Sequence, residues 1–384
     1  MLRLLLLACC VLSGCFARSG RVLPAVHHSR GVSPDVADAL GAALAKTRAE
    51  IGAPAATQVV LQGDHRWAAA TGWAERNTRL ARVDDAFRIG SITKTYTAAA
   101  LVSLHVEGAL SLDDPASKWV PEAPHGDRYT LRQVLAHQTG LEDFVRTPRF
   151  ALRLDRQESM RELLAYVEDE PLAFEPGTAS SYSNTNYLIA GLAIEAVTGL
   201  PWGEVVKRRF IEPLDLDATW IPSIEPEPVD IVRGYVGPFD VTQRFEPSRA
   251  SAGGEIVATA DDVARFVQAL FFGELVHPRV LELMTTEQRT SAGEPTGRGL
   301  GLSITESPHG LLFGHSGSIV SFQSRFHVHR PSRTVVVSLA SSFFAEADDL
   351  DASAWDVLAR SGRLDARPAV GAEALAAKRR AVGE

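Results

Sequence analysis

Apolar positions along the chain fall into three regimes. Near the start, Val36, Leu40, Ala43, Leu44 and Thr47 recur at helical spacing behind Ser33-Pro34-Asp35. That triplet supplies an N-cap serine, a proline at the first helical position and an acid in the first turn, and it predicts a helix to about Glu50. Thr57 to Leu61 and Arg66 to Thr71 then read as short strands around the turn residues Gly63-Asp64, with a polar loop from Trp73 to Asp85.

The middle of the chain changes period. From Ser91 onward Ile92, Tyr96, Ala98 to Val102, Leu104 and Val106 surround a helix on nearly every side, so it is predicted to be buried, with Gly108 closing it. Thr130 caps a short helix to His137, and Arg153 to Asp169 predicts another, ended by Pro171. Thr185 to Thr198, closed by Gly199, and Pro201 to about Phe210 are also helical in pattern. Residues 221–250 hold seven prolines and glycines and little periodicity, the pattern of a surface excursion.

Thr259-Ala260-Asp261-Asp262 caps a helix to Leu270, after which the pattern turns strand-like. Leu311 to Phe313, Ser321 to His329 and Thr334 to Ala340 alternate or run apolar, with turns at Gly317 and Arg330-Pro331, before a closing helix from Asp348 to Arg360. Strands at both ends with helices between predict an α+β fold. The terminal segments share one antiparallel sheet flanked by terminal helices, and an all-helical subdomain at roughly 108–250 is inserted. The domain is placed at 33–362. The tail at 363–384 lacks a clear apolar face and is expected to be partly disordered.

Composition adds little to that picture, but the first residues add much. With 384 residues, 45% hydrophobic and 22% charged, the chain can bury a full core without staples. Its net charge of −8 comes with acids and bases interspersed, so no basic stripe offers a nucleic acid a footing. Residues 1–15 read as a signal: Met1-Leu2-Arg3 is a positive start and Leu4 to Leu12 an apolar run too short for a stable span. Leu12-Ser13-Gly14-Cys15 resembles a bacterial lipobox, which implies cleavage before Cys15, a lipid on that cysteine and membrane anchoring in the cell envelope. A plain secretory signal cut after Ala17 is the alternative. Residues 16–32 read as a tether. Cys9 and Cys10 would leave with the signal, so the processed domain would hold no thiol for a disulfide or a metal.

The chemistry centres on Ser91-Ile92-Thr93-Lys94. In a helix these two residues share a face three apart. A serine hydroxyl attacks only when a base takes its proton, and a lysine serves once burial and the positive helix end lower its pKa. Of the five lysines, Lys46, Lys94, Lys118, Lys207 and Lys378, only Lys94 follows a serine at this spacing. Alone, the motif is more often an N-cap serine followed by a solvated lysine.

Two later elements make the reading specific: Tyr182-Ser183-Asn184 and His315-Ser316-Gly317. With Ser91-Ile92-Thr93-Lys94 they resemble, in order and spacing, the penicillin-recognising serine hydrolases: class C β-lactamases, D-alanyl-D-alanine carboxypeptidases and related esterases. Ala136-His137-Gln138-Thr139-Gly140-Leu141, Glu175-Pro176-Gly177 and Gly253-Gly254 extend the likeness over residues 33–360. The resemblance implies a β-lactamase/transpeptidase-like fold and acyl-enzyme chemistry without cofactor or metal. The substrate would be a D-amino-acid peptide, a β-lactam or a small ester.

Carried over, Ser91 is the nucleophile and Lys94 its proton acceptor. Tyr182 shares the base role, its phenol lowered in pKa by the neighbouring ammonium and titrating with Lys94 as a pair. Asn184 holds the substrate amide and steadies Lys94, His315, Ser316 and Gly317 line the substrate, and the main-chain N–H groups of Ser91 and Ser318 form the oxyanion hole. His315 stands where penicillinases carry lysine, which favours a peptidase or esterase and predicts faster turnover of carboxylate substrates as it protonates. The only asparagines are Asn77, Asn184 and Asn186, so the glutamate–asparagine water apparatus of class A enzymes is missing and deacylation falls to Tyr182 and Lys94.

Three rivals stand against this reading. An α/β-hydrolase needs Gly-x-Ser-x-Gly, which does not occur. A metal hydrolase would rest on His327 and His329 alone. A non-catalytic peptidoglycan-binding or scaffold lipoprotein would not need the serine, lysine and tyrosine all kept.

Overall fold

A computed structural model describes residues 22–228, 230–342 and 347–364. The signal and lipobox, with Cys15, and the tail from 365 onward lie outside these described residues. Seven strands form the path of the main antiparallel sheet: β1 Val26–Arg30, β2 Ala55–Gln62, β3 His65–Glu75, β4 Ser303–Ser307, β5 Gly310–Ile319, β6 Phe322–His329 and β7 Thr334–Ser341. Their order is β1-β3-β2-β7-β6-β5-β4, so the two ends of the sequence meet at the β2–β7 pair in mid-sheet. There Val59 lies opposite Val337 and Ala56 opposite Ala340. A short strand, Arg79–Leu80, pairs with β3 off this path.

Every residue of β7 is buried, and alternate side chains serve two cores. Val335, Val337 and Leu339 join Val59 and Leu61 in the larger core under the helical half of the molecule. Val336 and Ala340 join Trp67 in a smaller core on the other face, covered by helices α1, Pro34–Glu50, and α6, Ala347–Arg360. A sheet covered on both faces explains the near-continuous apolar runs of its central strands.

The helical half packs around α2, Thr93–Val106, whose residues 93–104 are all buried. It follows a 3₁₀ turn at Gly90–Ile92 and ends before Gly108, which takes φ +79°. Beside it lie α3, Thr185–Thr198, closed by Gly199 at φ +69°, and α4, Ala260–Phe272, capped by the Thr259 hydroxyl accepting from Asp262 N. A further helix, α5, spans Pro278–Thr285. The short helix Leu131–Leu135 carries a full capping box between Thr130 and Gln133.

Several expectations are corrected. Residues 26–30, expected within the tether, form edge strand β1 against β3, from Val26 opposite Ala70 to Arg30 opposite Arg66. Their side chains are mostly exposed, so main-chain pairing holds the strand and no apolar alternation marks it. The loop expected from Trp73 includes the end of β3 and the strand Arg79–Leu80. Gly317 lies within β5 rather than in a turn, and the chain reverses at Val320. The inserted half is not wholly helical: Thr219–Trp220 joins Ala86–Arg88 and Val257–Thr259 in a small sheet, and Tyr235–Val236 pairs with Phe239–Asp240.

The helix expected over 153–169 shrinks to Met160–Leu164, and the cause is Arg249. Its guanidinium, fully buried, donates to the carbonyls of Arg153 and Arg156, which a helix would have used within itself. It also pairs with buried Glu158 at 2.8 Å. Arg249 therefore ties 221–250 into the core, with Ile231, Val232 and Phe245 buried alongside, and the surface excursion is only partial. Breaking a buried ion pair strands the remaining charge and typically costs about 3–5 kcal/mol. Arg249→Ala is expected to lose about that much by denaturant unfolding, and distinctly less in a Glu158→Gln background.

Candidate active site

Three parts of the fold converge on Ser91. The 3₁₀ turn leading into α2 supplies Ser91, and Lys94 follows on the first turn of α2. Tyr182 and Asn184 arrive on the segment entering α3, and β5 brings residues 315–318. Beyond Gly314 β5 has no strand partner on its β4 side among the described residues, so this edge is free to face the Ser91 turn.

Two missing side chains allow the approach. Gly90 has φ +51°, and a Cβ there would fall 2.9 Å from Ser318 N. A Cβ on Gly317 would fall 2.1 Å from Ile89 O and 3.0 Å from Ser91 N. The Ser324 hydroxyl donates to the same Ile89 carbonyl at 2.7 Å, fixing the turn against the sheet. The backbone around Ser91 is thereby brought close to the backbone of Gly317 and Ser318.

Lys94 has no solvent exposure. Its Nζ is 2.6 Å from Gly253 O, 2.8 Å from Asn184 Oδ1 and 3.1 Å from Ser91 Oγ. Burial drives its pKa down to about 7, against an opposing pull from Asp143. A pKa in that range makes the neutral amine accessible at neutral pH. Gly253 O and Asn184 Oδ1 accept only, so they take the amine's two N–H groups, and its lone pair is left for the Ser91 hydroxyl. The Tyr182 hydroxyl donates to Ser91 Oγ from the other side, at 2.8 Å.

The expected lowering of the Tyr182 pKa is not what the site produces. Burial raises it well above the ordinary phenol value, and the cation opposing that rise is Arg298, not Lys94. Lys94 lies 5.0 Å from the ring centroid and meets Tyr182 through Ser91. The phenol is therefore neutral and a donor. His315 is corrected too. It is buried against the sheet, its Nδ1 donates to Ser316 O at 2.6 Å, and burial with nearby Lys94 brings its pKa down to about 3. It stays neutral through the physiological range, which argues against a carboxylate preference set by its protonation there.

Ser316 and Ser318 are exposed on β5 while Gly317 is buried, so the two serines face the open side. A cleft of about 480 Å³ runs from Ser91, Tyr182 and Asn184 past Ser316 and Ser318, walled by Phe144, Phe150, Phe245 and Val320. Asp143 and His137 are site residues that no pattern singled out for a role. Asp143 accepts from Asn184 Nδ2 at 3.0 Å and from Asn184 N at 3.1 Å, which turns the amide oxygen toward Lys94. His137 lies under Tyr182 with ring centroids 4.4 Å apart. The pair His327 and His329 sits elsewhere: His327 bonds Asp351 at 2.7 Å and His329 bonds Ser332 at 2.7 Å.

Fold and site together define the β-lactamase/transpeptidase-like class. The chain belongs to the β-lactamase family, whose model matches residues 40–360. Penicillin-binding protein 4* of Bacillus subtilis (strain 168) is 24% identical over 302 residues, covering 73% of this chain and 66% of that protein. The chain thus spans about two thirds of that relative's length. A solved D-stereospecific amidohydrolase from Streptomyces sp. superposes with a TM-score of 0.68 at 31% identity, covering 82% of this chain and 96% of that one. D-amino acid amidase from Ochrobactrum anthropi SV3, complexed with L-phenylalanine, gives a TM-score of 0.76 at 25% identity, covering 85% and 99%.

Asp143 raises the Lys94 pKa, so removing its charge lowers that pKa further. NMR titration of isotopically labelled lysine is expected to find one lysine titrating near pH 7, lost in Lys94→Met and moved downward in Asp143→Asn. A Lys94 signal titrating near the ordinary lysine value of about 10.4 would overturn the neutral-amine assignment.

Proposed function

We propose that the protein hydrolyses amide bonds in D-amino-acid peptides or β-lactams through an acyl-enzyme on Ser91. The observation that carries this is the buried Lys94 Nζ, 2.6 Å from Gly253 O, 2.8 Å from Asn184 Oδ1 and 3.1 Å from Ser91 Oγ, contacts that leave a neutral amine's lone pair for the Ser91 hydroxyl. Ser91 Oγ attacks the carbonyl carbon as its proton passes to Lys94, and the new oxyanion takes the N–H groups of Ser91 and Ser318. The carbon–nitrogen bond then breaks as the Tyr182 hydroxyl protonates the leaving nitrogen. The Lys94 ammonium, which like Tyr182 abuts Ser91 Oγ, returns a proton to the phenolate. In the second half a water gives its proton to Lys94 and attacks the acyl carbon, and Ser91 Oγ departs, recovering that proton.

The apolar cleft walls favour an aromatic or branched acyl side chain. The amidase relative bound to phenylalanine agrees with that preference, as does Ser91 lying beside a glycine-spaced sheet edge that can hold an extended acyl chain. A neutral His315 favours a second reading, a small-molecule esterase, because it provides no fixed charge for a carboxylate. Intact-mass measurement after benzylpenicillin treatment is expected to find an adduct on the wild type and none on Ser91→Ala. Its formation rate should rise with pH through about 7, as Lys94 loses its proton, with no limb near pH 6.5 from histidine. Lys94→Ala should slow acylation by about 10²–10⁴-fold. Absence of any adduct, with the drug left intact, would move the reading to the esterase.

We further propose an exported lipoprotein held in the cell envelope by a lipid on Cys15, supported by the Leu12-Ser13-Gly14-Cys15 lipobox and its short apolar leader. Wild-type protein expressed in bacteria is expected in the membrane fraction, and Cys15→Ala in the soluble one. Equal partition of the two would overturn the anchor.

A further inference from the structure

Exposed apolar side chains are unevenly placed on this protein. Six large ones are exposed among the described residues: Val22, Val26, Leu80, Leu152, Phe239 and Leu311. Scattered singly, such residues are ordinary. Three of them, Val22, Leu80 and Phe239, exposed by 59%, 54% and 71%, stand on segments that adjoin at the end of β3. Thr71 Oγ1 donates to Leu23 O at 2.8 Å, which ties the incoming chain beside Val22 to that end. Leu80 lies opposite Trp73 of β3. The hairpin bearing Phe239 is fastened there too: Arg76 N donates to Tyr235 Oη and Arg76 Nη1 to Gly237 O, each at 2.9 Å.

Sheet register fixes which end of the molecule this is. One row crosses the sheet from Gly72 through Ala55, Ser341 and Phe322 to Ile319. Ile319 lines the Ser91 cleft, so the entry of the chain and the cleft lie at the same end of the sheet. The hairpin bearing Phe239 leaves from between them. A Cβ on Gly234 at its base would fall 2.9 Å from Ser321 Cβ and 3.2 Å from Phe322 Cε2. Leu311 stands towards the opposite end of β5, across from Glu306.

The length of chain ahead of Val22 says what faces this end. Residues 16–21 are all that separate Val22 from Cys15. At about 3.3–3.6 Å per residue, an extended chain of that length keeps Val22 within about 25 Å of the lipid-bearing residue. Leu311 is eight positions down β5 from the row through Ile319, about 27 Å at the rise of a strand. Turning that end to a bilayer would stretch the leash to its limit. The near end, where the apolar side chains are exposed, meets no such restriction, and moving them from water into a bilayer interface is favourable.

We propose that this end of the fold rests on a phospholipid bilayer, with Val22, Leu80 and Phe239 entering the headgroup region and the Ser91 cleft held beside the membrane surface. This rests on the lipid-anchor reading above. It adds to the anchor a second contact, made by the folded domain, and an orientation.

With Cys9 and Cys10 removed and Cys15 acylated, Leu80→Cys, Phe239→Cys and Leu311→Cys each present one free thiol. Each lipidated variant is labelled there with nitrobenzoxadiazole and reconstituted into vesicles of phosphatidylethanolamine and phosphatidylglycerol, with ordinary or brominated acyl chains. Labels at 80 and 239 are expected to shift to the blue and to lose fluorescence to the brominated lipid, while the label at 311 does neither. Labels at 80 and 239 that stay unquenched, as they would under a partner protein or a second copy of this chain, overturn the proposal. Equal quenching at all three positions overturns it too. Intact mass of the processed wild type reads the anchor separately, and a chain without lipid sinks that reading instead. In that case flotation of the unlipidated chain with the same vesicles decides: wild type that floats, with Leu80→Asp/Phe239→Asp left behind, supports the surface, and wild type left behind overturns it. Thermal unfolding of the double variant, expected to match wild type, separates lost binding from lost fold.

Discussion

The constraint on which the rest of the structure depends is the burial of one amine. A lysine sealed from water keeps its proton only if its surroundings compensate for lost hydration. Around Lys94 they compensate in part: two neutral oxygens receive its N–H groups, while the nearest carboxylate, Asp143, acts through Asn184 rather than by contact. The outcome is an amine poised between two protonation states. Had Asp143 touched Nζ directly, the ammonium would have been fixed and the serine would have had no acceptor.

Much of the helical half serves that balance. The burial of residues 93–104 of α2 keeps water from Lys94, and the Gly253 carbonyl is set by a backbone that Thr97 grips through Ala252 O at 2.6 Å. Trp202 in turn donates to Thr97 at 3.0 Å, so a buried side chain outside the site supports it through two contacts. The sheet contributes differently. It presents a rigid edge whose main chain, rather than whose side chains, approaches Ser91. One half thus tunes a proton and the other fixes a position.

How much of this was legible in the sequence follows from what each part requires. Ser91, Lys94, Tyr182 and Asn184 were readable because their chemistry demands particular residue types at particular spacings, and the structure gathers them around one oxygen. Central strands and buried helices were readable because they bury apolar faces. The strand β1 was not, because an edge held by main-chain bonds leaves its side chains free of any pattern. Residues 153–159 misled because Arg249, about a hundred positions away, takes carbonyls that a local reading assigns to a helix. Asp143 carries no motif; it acts through Asn184, supplied by a distant segment. The Tyr182 pKa moves opposite to expectation because burial depends on the whole fold, whereas a sequence shows only which charges are near.

The meeting of Gly90 with Gly317 carries a consequence for how such a protein can diverge. The two N–H groups gathered there belong to the backbone, so Ser318 could become almost any residue without altering the donor it supplies. Only the two glycines are fixed by the close approach of Ile89 O and Ser318 N. The N–H pair to which the proposed function assigns the oxyanion is therefore insulated from side-chain drift, while the walls contributed by Phe144, Phe150 and Phe245 remain open to it. A lineage built on this junction can exchange one substrate for another by altering its loops while inheriting the same reaction unchanged.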